Sequence, residues 1–229
     1  MSEEKETYEE SVRAPSLDIG AVIRGEVPFT PRTPDPLEVA EAAKRRAEYE
    51  RQFAPRSPAR VPWTEICRHE RYRETVFSQL PVQGAARRVM GWRWQERGLV
   101  IHGPSGRGKT RAAWLLLKRL YDEGRSIWPF DGFGWFVEVG RAFRDIETAS
   151  AWMDSLVAVD VLFLDDVFRG RFTDAQELAL WGVIERRTAD KRPIIVTLNA
   201  TGESLEADYG PQVLPIVRRL KEFCDAVVF

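Results

Sequence analysis

Cysteine and histidine are nearly absent from this chain, with two of each in 229 residues. Cys67 and Cys224 show no CxxC spacing, and His69 and His102 stand apart. A disulfide framework is excluded by count, and Cys67-x-His69 has the spacing of half a zinc site with no second half. Long apolar runs are missing too, and the N-terminus, MSEEKETYEE, is acidic without a signal-peptide core. The expectation is a cytoplasmic protein that does not enter a membrane. An excess of charge of one sign is also lacking. Net charge is −1, so the whole chain exerts no general pull on nucleic acid, and any DNA contact must come from a local patch. Arginine outnumbers lysine by 28 to 6, which suits phosphate and carboxylate forks but also follows from a GC-rich coding genome. Hydrophobic residues make up 44 %, enough to form the core of one α/β domain with an appendage.

Residues 1–62 differ from the rest. Eight of the 14 prolines lie there and large apolar residues are sparse, so the segment reads as mostly extended or disordered. One helix is expected inside it: Asp35 can cap, Pro36 fits the first turn, and LEVAEAAKRRAEYERQF continues to Pro55. Its apolar face is weak, which fits either a solvated helix or a docking helix for a partner. Residues 63–229 read as the folded domain. Helices are expected over Val82 to Glu96 and from the glycine-rich loop to Gly124. A second strand is expected at Trp135 to Val139, followed by a helix through Phe143 and Ile146. Val159 to Leu164 and Pro193 to Leu198 read as buried parallel strands. Thr173 and Gln176 form a capping box for a helix to about Thr188, and a helix opened by Pro215 precedes a last strand, Asp225 to Phe229. Strands alternating with helices predict an α/β fold with helices on both faces of a parallel sheet.

Residues 98–110 carry the chemistry. GLVIHGPSGRGKT is an apolar strand running into the spacing GxxxxGK[ST], the phosphate-binding P-loop. Gly103, Pro104, Ser105, Gly106, Arg107 and Gly108 form the loop, with glycines where backbone N–H groups must turn toward phosphate oxygens. Lys109 can reach the β and γ phosphates of ATP, and the Thr110 hydroxyl can ligate Mg²⁺. The run Val161, Leu162, Phe163, Leu164 ends in Asp165 and Asp166, as a Walker B strand does. Asp165 is placed to hold Mg²⁺ and Asp166 to orient the attacking water. The alternative is a pair of acids capping a turn. Arg169 and Arg171 follow the acids, and Trp92, Arg93 and Trp94 mix aromatic and basic character; stacking on single-stranded DNA is one reading and core packing the other.

The strand PIIVTLN, ending in Thr197 and Asn199, resembles the sensor-one strand of AAA+ ATPases, which implies that Asn199 reads the γ-phosphate and the water; the alternative is an asparagine that ends a strand as a turn residue. In order and spacing, RYRETVFSQLP, GLVIHGPSGRGKT, VLFLDDVFRGRFTDAQELALWGVIERRT, RPIIVTLNATGESL and IVRRLKEFCDAVVF are similar to the DnaC/IstB-like AAA+ ATPases, in particular phage-type replicative helicase loaders. The resemblance spans roughly residues 70–229. It implies a sheet of order 5-1-4-3-2, nucleotide at a subunit interface, a homo-oligomeric ring or spiral, a replicative DNA helicase as partner and contact with single-stranded DNA. It also implies that Arg219, immediately before Leu220, reaches the neighbouring subunit's γ-phosphate, with Arg218 as the backup. The sequence ends with the fifth strand, so no C-terminal lid domain is expected. The family contains a second activity, a transposition helper that stimulates a transposase. A small P-loop kinase and a non-hydrolysing nucleotide-dependent binding module are the readings from other classes. The acid pair and Asn199 suit water activation better than a kinase acceptor pocket.

Overall fold

Five runs of five residues make the sheet: β1 (Gly98–His102), β2 (Ile127–Asp131), β3 (Val161–Asp165), β4 (Ile194–Leu198) and β5 (Cys224–Val228). The structure is a computed structural model describing residues 35–37, 39–41, 43–44, 61–144, 146–169, 172–199, 204, 207 and 213–229. The chain divides into two units, Met1–Val39 and Ala40–Phe229. The described residues of 36–44 are helical, and the Asp35 carboxylate accepts from Leu37 N–H at 2.8 Å, as its capping position predicts. The expected extension of that helix to Pro55, and the reading of 1–34 and 45–60 as extended or disordered, lie outside the described residues.

All strand pairs are parallel, in the order β2-β3-β4-β1-β5. This is the expected 5-1-4-3-2 read from the other edge. Alternation along each strand divides the core. Leu162 and Leu164 join one cluster with Trp135, Trp152 and Val183; Phe163, Leu99 and Ile101 join the other with Leu116, Leu117 and Leu120. The second cluster lies under α1 (Trp63–Ile66), α3 (Gln83–Gly91) and α4 (Lys109–Asp122), with α2 (Glu70–Arg73) beside α4. The first lies under α5 (Gly132–Ala142), α6 (Ile146–Ala158), α7 (Asp174–Ala189) and α8 (Leu214–Phe223). Each fully buried leucine of α4 contributes roughly 1.5–3 kcal/mol, so the periodic face of that helix holds it on the sheet. The capping box of α7 is present: Thr173 Oγ1 accepts from Gln176 N–H and Gln176 Oε1 accepts from Thr173 N–H.

The structure corrects two expectations. Residues 135–139 are not a strand; they lie inside α5, and the second strand is Ile127–Asp131. The aromatic and β-branched residues of 135–139 suggest a strand, and Pro129 interrupts the run at 127–131. But β2 is an edge strand, where a proline's missing N–H costs no ladder bond, and Trp135, Val139 and Ala142 recur at the helical period and are all buried. Asp131 then caps α5, accepting from Gly134 N–H at 2.6 Å. The helix expected to reach Glu96 stops at Gly91. Trp92 turns extended and its side chain is buried in the core.

Arg187 holds the opposite end of the sheet from the glycine-rich loop. It is fully buried, and its guanidinium donates to the carbonyls of Leu156, Val157, Val159, Asp160 and Pro193. These are the last carbonyls of α6 and the approaches to β3 and β4, groups that the helix end and the loops leave without partners.

Candidate functional site

The loop from Gly103 to Gly108 joins β1 to α4 at the carboxyl edge of the sheet. All three of its glycines sit at positive φ, Gly106 at +76. Gly103 has φ +139, and a Cβ there would meet Phe229 O at 2.4 Å. Gly108 caps α4 in the left-handed region at φ +90. Pro104, Ser105, Gly106 and Arg107 are exposed, so the mouth of the loop is open. The unpaired N–H groups of the first turn of α4 face this loop end, which makes it a seat for an anion.

Lys109 is the first residue of α4 and is only 5 % exposed. Its ammonium donates to Gly103 O, Pro104 O and Asn199 Oδ1, each at 2.8 Å. Burial pulls its pKa down, and the charges of Asp166 and Asp165 work the other way. Asn199, just beyond β4, also donates through Nδ2 to Asp166 Oδ1 at 2.7 Å. One amide therefore links the loop lysine to the second acid.

Asp131, Asp165 and Thr197 occupy matching register positions on β2, β3 and β4. The Asp165 Oδ1 atom accepts from Thr110 Oγ1 at 2.8 Å and from Thr197 Oγ1 at 2.5 Å. Burial raises its pKa above the usual carboxylate range; the two hydroxyl bonds oppose this, and the neighbouring charges of Asp166 and Asp131 add to it. Asp166 departs from the strand in the left-handed region, φ +51, which Asp tolerates better than most residues. Its N–H points back to Thr197, at 3.0 Å from Oγ1 and 3.2 Å from O. Among the described residues no group of three or more His, Cys, Asp or Glu can hold a metal alone. The donors present, the Thr110 hydroxyl and the Asp165 carboxylate, are hard oxygens of the kind Mg²⁺ takes when phosphate and water complete its shell.

These groups open into a cleft of about 1830 Å³. One wall carries Ile66, His69, Tyr72, Pro81 and Trp114, and the other runs along β2 and the start of α5. Trp114 stacks on Tyr72 at 5.9 Å between ring centroids and meets Phe163 edge-on at 5.4 Å, which ties the aromatic wall to the sheet. Pockets for small ligands measure about 300–1,000 Å³, so this one has space for a ligand of nucleotide size with room beside it.

The structure thus brings together Gly103 to Gly108, Lys109, Thr110, Asp165, Asp166 and Asn199. It does not bring Arg219 to them. Arg219 lies on α8, forked on Glu185 of α7 with both bonds at 2.6 Å and reaching Glu222 at 3.3 Å; Glu185 raises its pKa. Arg218 is exposed. Trp92 is core, and Trp94 carries the Arg125 guanidinium 3.9 Å above its ring. Arg171 lies outside the described residues. Sequence reasoning missed Thr197 as a bonding partner of the acids. Its one signal was a hydroxyl inside the apolar run IIVTL, two residues before Asn199.

No family model matches the chain. A curated relative, the uncharacterized protein YdaV of Escherichia coli (strain K12), is 23 % identical over 112 residues, 49 % of this chain and 45 % of that protein; the match thus spans less than half of the relative's length. Among solved structures, that of the DnaC helicase loader matches with TM-score 0.55 and 20 % identity, over 70 % of this chain and 99 % of that one. AMPPCP-bound DnaA from Aquifex aeolicus matches with TM-score 0.55 and 12 % identity, over 69 % of this chain and 49 % of that one. With the parallel order β2-β3-β4-β1-β5 and the glycine-rich loop after the central β1, this chain has the AAA+ P-loop fold of the DnaC-like proteins.

Proposed function

We propose that this chain binds ATP with Mg²⁺, hydrolyses it, and uses the cycle to place or remodel a replicative DNA helicase on single-stranded DNA. The observation that carries the reading is the bonded chain from Lys109 through Asn199 to Asp166 at the mouth of the loop. A triphosphate entering the loop offers Lys109 charged oxygens in place of two main-chain carbonyls and an amide. Charge-assisted bonds are roughly twice as strong as neutral ones, so the exchange favours the ligand. Asn199 then turns to the terminal phosphate, and the Asp166 carboxylate it held is released to orient water. Thr110 and Asp165 would hold Mg²⁺, which would supply neutralisation of charge on the phosphate oxygens. The AMPPCP-bound DnaA match supports the nucleotide, and the DnaC helicase loader match supports the partner.

In this reading Arg219 acts across a homo-oligomeric interface, leaving Glu185 to meet the γ-phosphate of a neighbouring subunit, and residues 1–62 serve the partner. The test uses Asp166→Asn, which keeps shape and removes the base. ATP should bind and persist, with hydrolysis down about 10²–10⁴-fold. The same protein should assemble with purified replicative helicase and single-stranded DNA but fail to release it. Hydrolysis at the wild-type rate would remove Asp166 from the mechanism, and a helicase left unmoved by the wild-type chain with ATP would remove the partner.

A further inference from the structure

Resting on the ATP reading above, we propose that Thr197 is a positioning residue: its single hydroxyl sets the geometry of both acids at once. Thr197 is 1 % exposed and sits on β4 in register with Asp165. Its Oγ1 donates to Asp165 Oδ1 at 2.5 Å and accepts from Asp166 N–H at 3.0 Å. A hydroxyl is the smallest group that donates and accepts from one atom. A strand side chain in the interior would ordinarily be apolar, and a buried hydroxyl needs no carboxylate to be satisfied, because main-chain carbonyls serve. Here it takes the Asp165 carboxylate and the Asp166 main-chain N–H.

The consequences for the two acids differ. Thr110 Oγ1 bonds the same Asp165 oxygen, so the two hydroxyls occupy Oδ1 and leave Oδ2 for Mg²⁺ or its water. At Asp166 the bond fixes the main chain. The residue turns at φ +51, and its N–H is aimed at Thr197 while Asn199 holds its carboxylate. Thr197 and Asn199, two residues apart, therefore pin the backbone and the side chain of Asp166. The turn separates the acids, one toward Thr110 and the other toward Asn199.

The experiment compares the full chain with Thr197→Val, which keeps the branched shape and removes the hydroxyl, and Thr197→Ser, which keeps the hydroxyl. Three quantities are read: ATP affinity by calorimetry with Mg²⁺ and with EDTA, single-turnover hydrolysis per bound nucleotide, and the melting midpoint. In Thr197→Val, affinity in EDTA should be unchanged, the gain in affinity from Mg²⁺ should shrink, and hydrolysis should fall roughly 10–100-fold, the size expected when a reacting group is misplaced by about 1 Å. Thr197→Ser should restore both. A wild-type Mg²⁺ gain and rate in Thr197→Val would overturn the proposal, whether or not the melting midpoint falls. So would a serine variant as impaired as the valine one, since the methyl would then be the part that matters. Failure of the ATP reading looks different: the wild-type chain itself binds or hydrolyses nothing. If it binds without hydrolysing, the Mg²⁺ gain alone decides the role of Thr197; if it binds no ATP, both proposals fall.

Discussion

Lys109 and Arg187 are buried cations at opposite ends of the same central strands, and neither hydrogen bonds to a carboxylate. Burial lowers the pKa of both, that of Arg187 to about 9, so the arginine stays protonated at neutral pH. They differ in what could replace their partners. Arg187 is a planar fork spread over five carbonyls, wholly enclosed, and no ligand can reach it. Lys109 is a flexible ammonium beside a cleft, on two loop carbonyls and one amide. The first arrangement is a fastening and the second a holding position. Their charges and burial are alike; access to the cleft separates them.

A third cation sharpens the contrast. Arg219 is bonded to carboxylates and a third exposed, so it is poorly explained as a fastening. Arg219→Ala should leave ATP affinity of the isolated subunit intact while turnover falls about 10³–10⁵-fold. Mixing it with Lys109→Ala subunits should recover part of the activity, because each supplies what the other lacks. Co-assembly without recovery would place Arg219 within its own subunit or in a structural role. Next in size is Arg187→Met. Relief of the buried charge is outweighed by five carbonyls left unpartnered, and the loss should be about 3 kcal/mol or more in urea denaturation. A variant of wild-type stability would break the comparison. Lys109→Ala should do the opposite: melting nearly unchanged, ATP affinity weaker by the roughly 1.5–3 kcal/mol of a charge-assisted contact, read by calorimetry. The smallest effect tests the common cause. The same interior that lowers the cations raises the Cys67 thiol to about 11 and the Cys224 thiol to about 12. With so little thiolate, native protein at pH 7.5 should resist iodoacetamide and react only once denatured. Rapid native labelling would show that these sites open.

Much of this was legible along the chain. The P-loop, the acid pair, the capping box of α7 and the faces of α4 each depend on residues a few positions apart, where spacing alone dictates which groups meet. Asp131, Pro129 and Trp135 show where such reading stops. Proline excludes a strand only if both edges pair, and the run 135–139 could be assigned only once Trp135 and Val139 had a core to face.

The local pattern determined by itself that a phosphate-binding loop follows an apolar strand, that a parallel sheet carries it, and that two acids end another strand. Tertiary structure alone decided that Thr197 bridges those acids, that Asn199 ties Lys109 to Asp166, and that Arg187 fastens the far end of the sheet. Apart from Pro193, six residues from Arg187, their partners lie 27 to 90 residues away, and only the closure of the sheet brings such distant groups within the three ångströms at which a hydrogen bond forms.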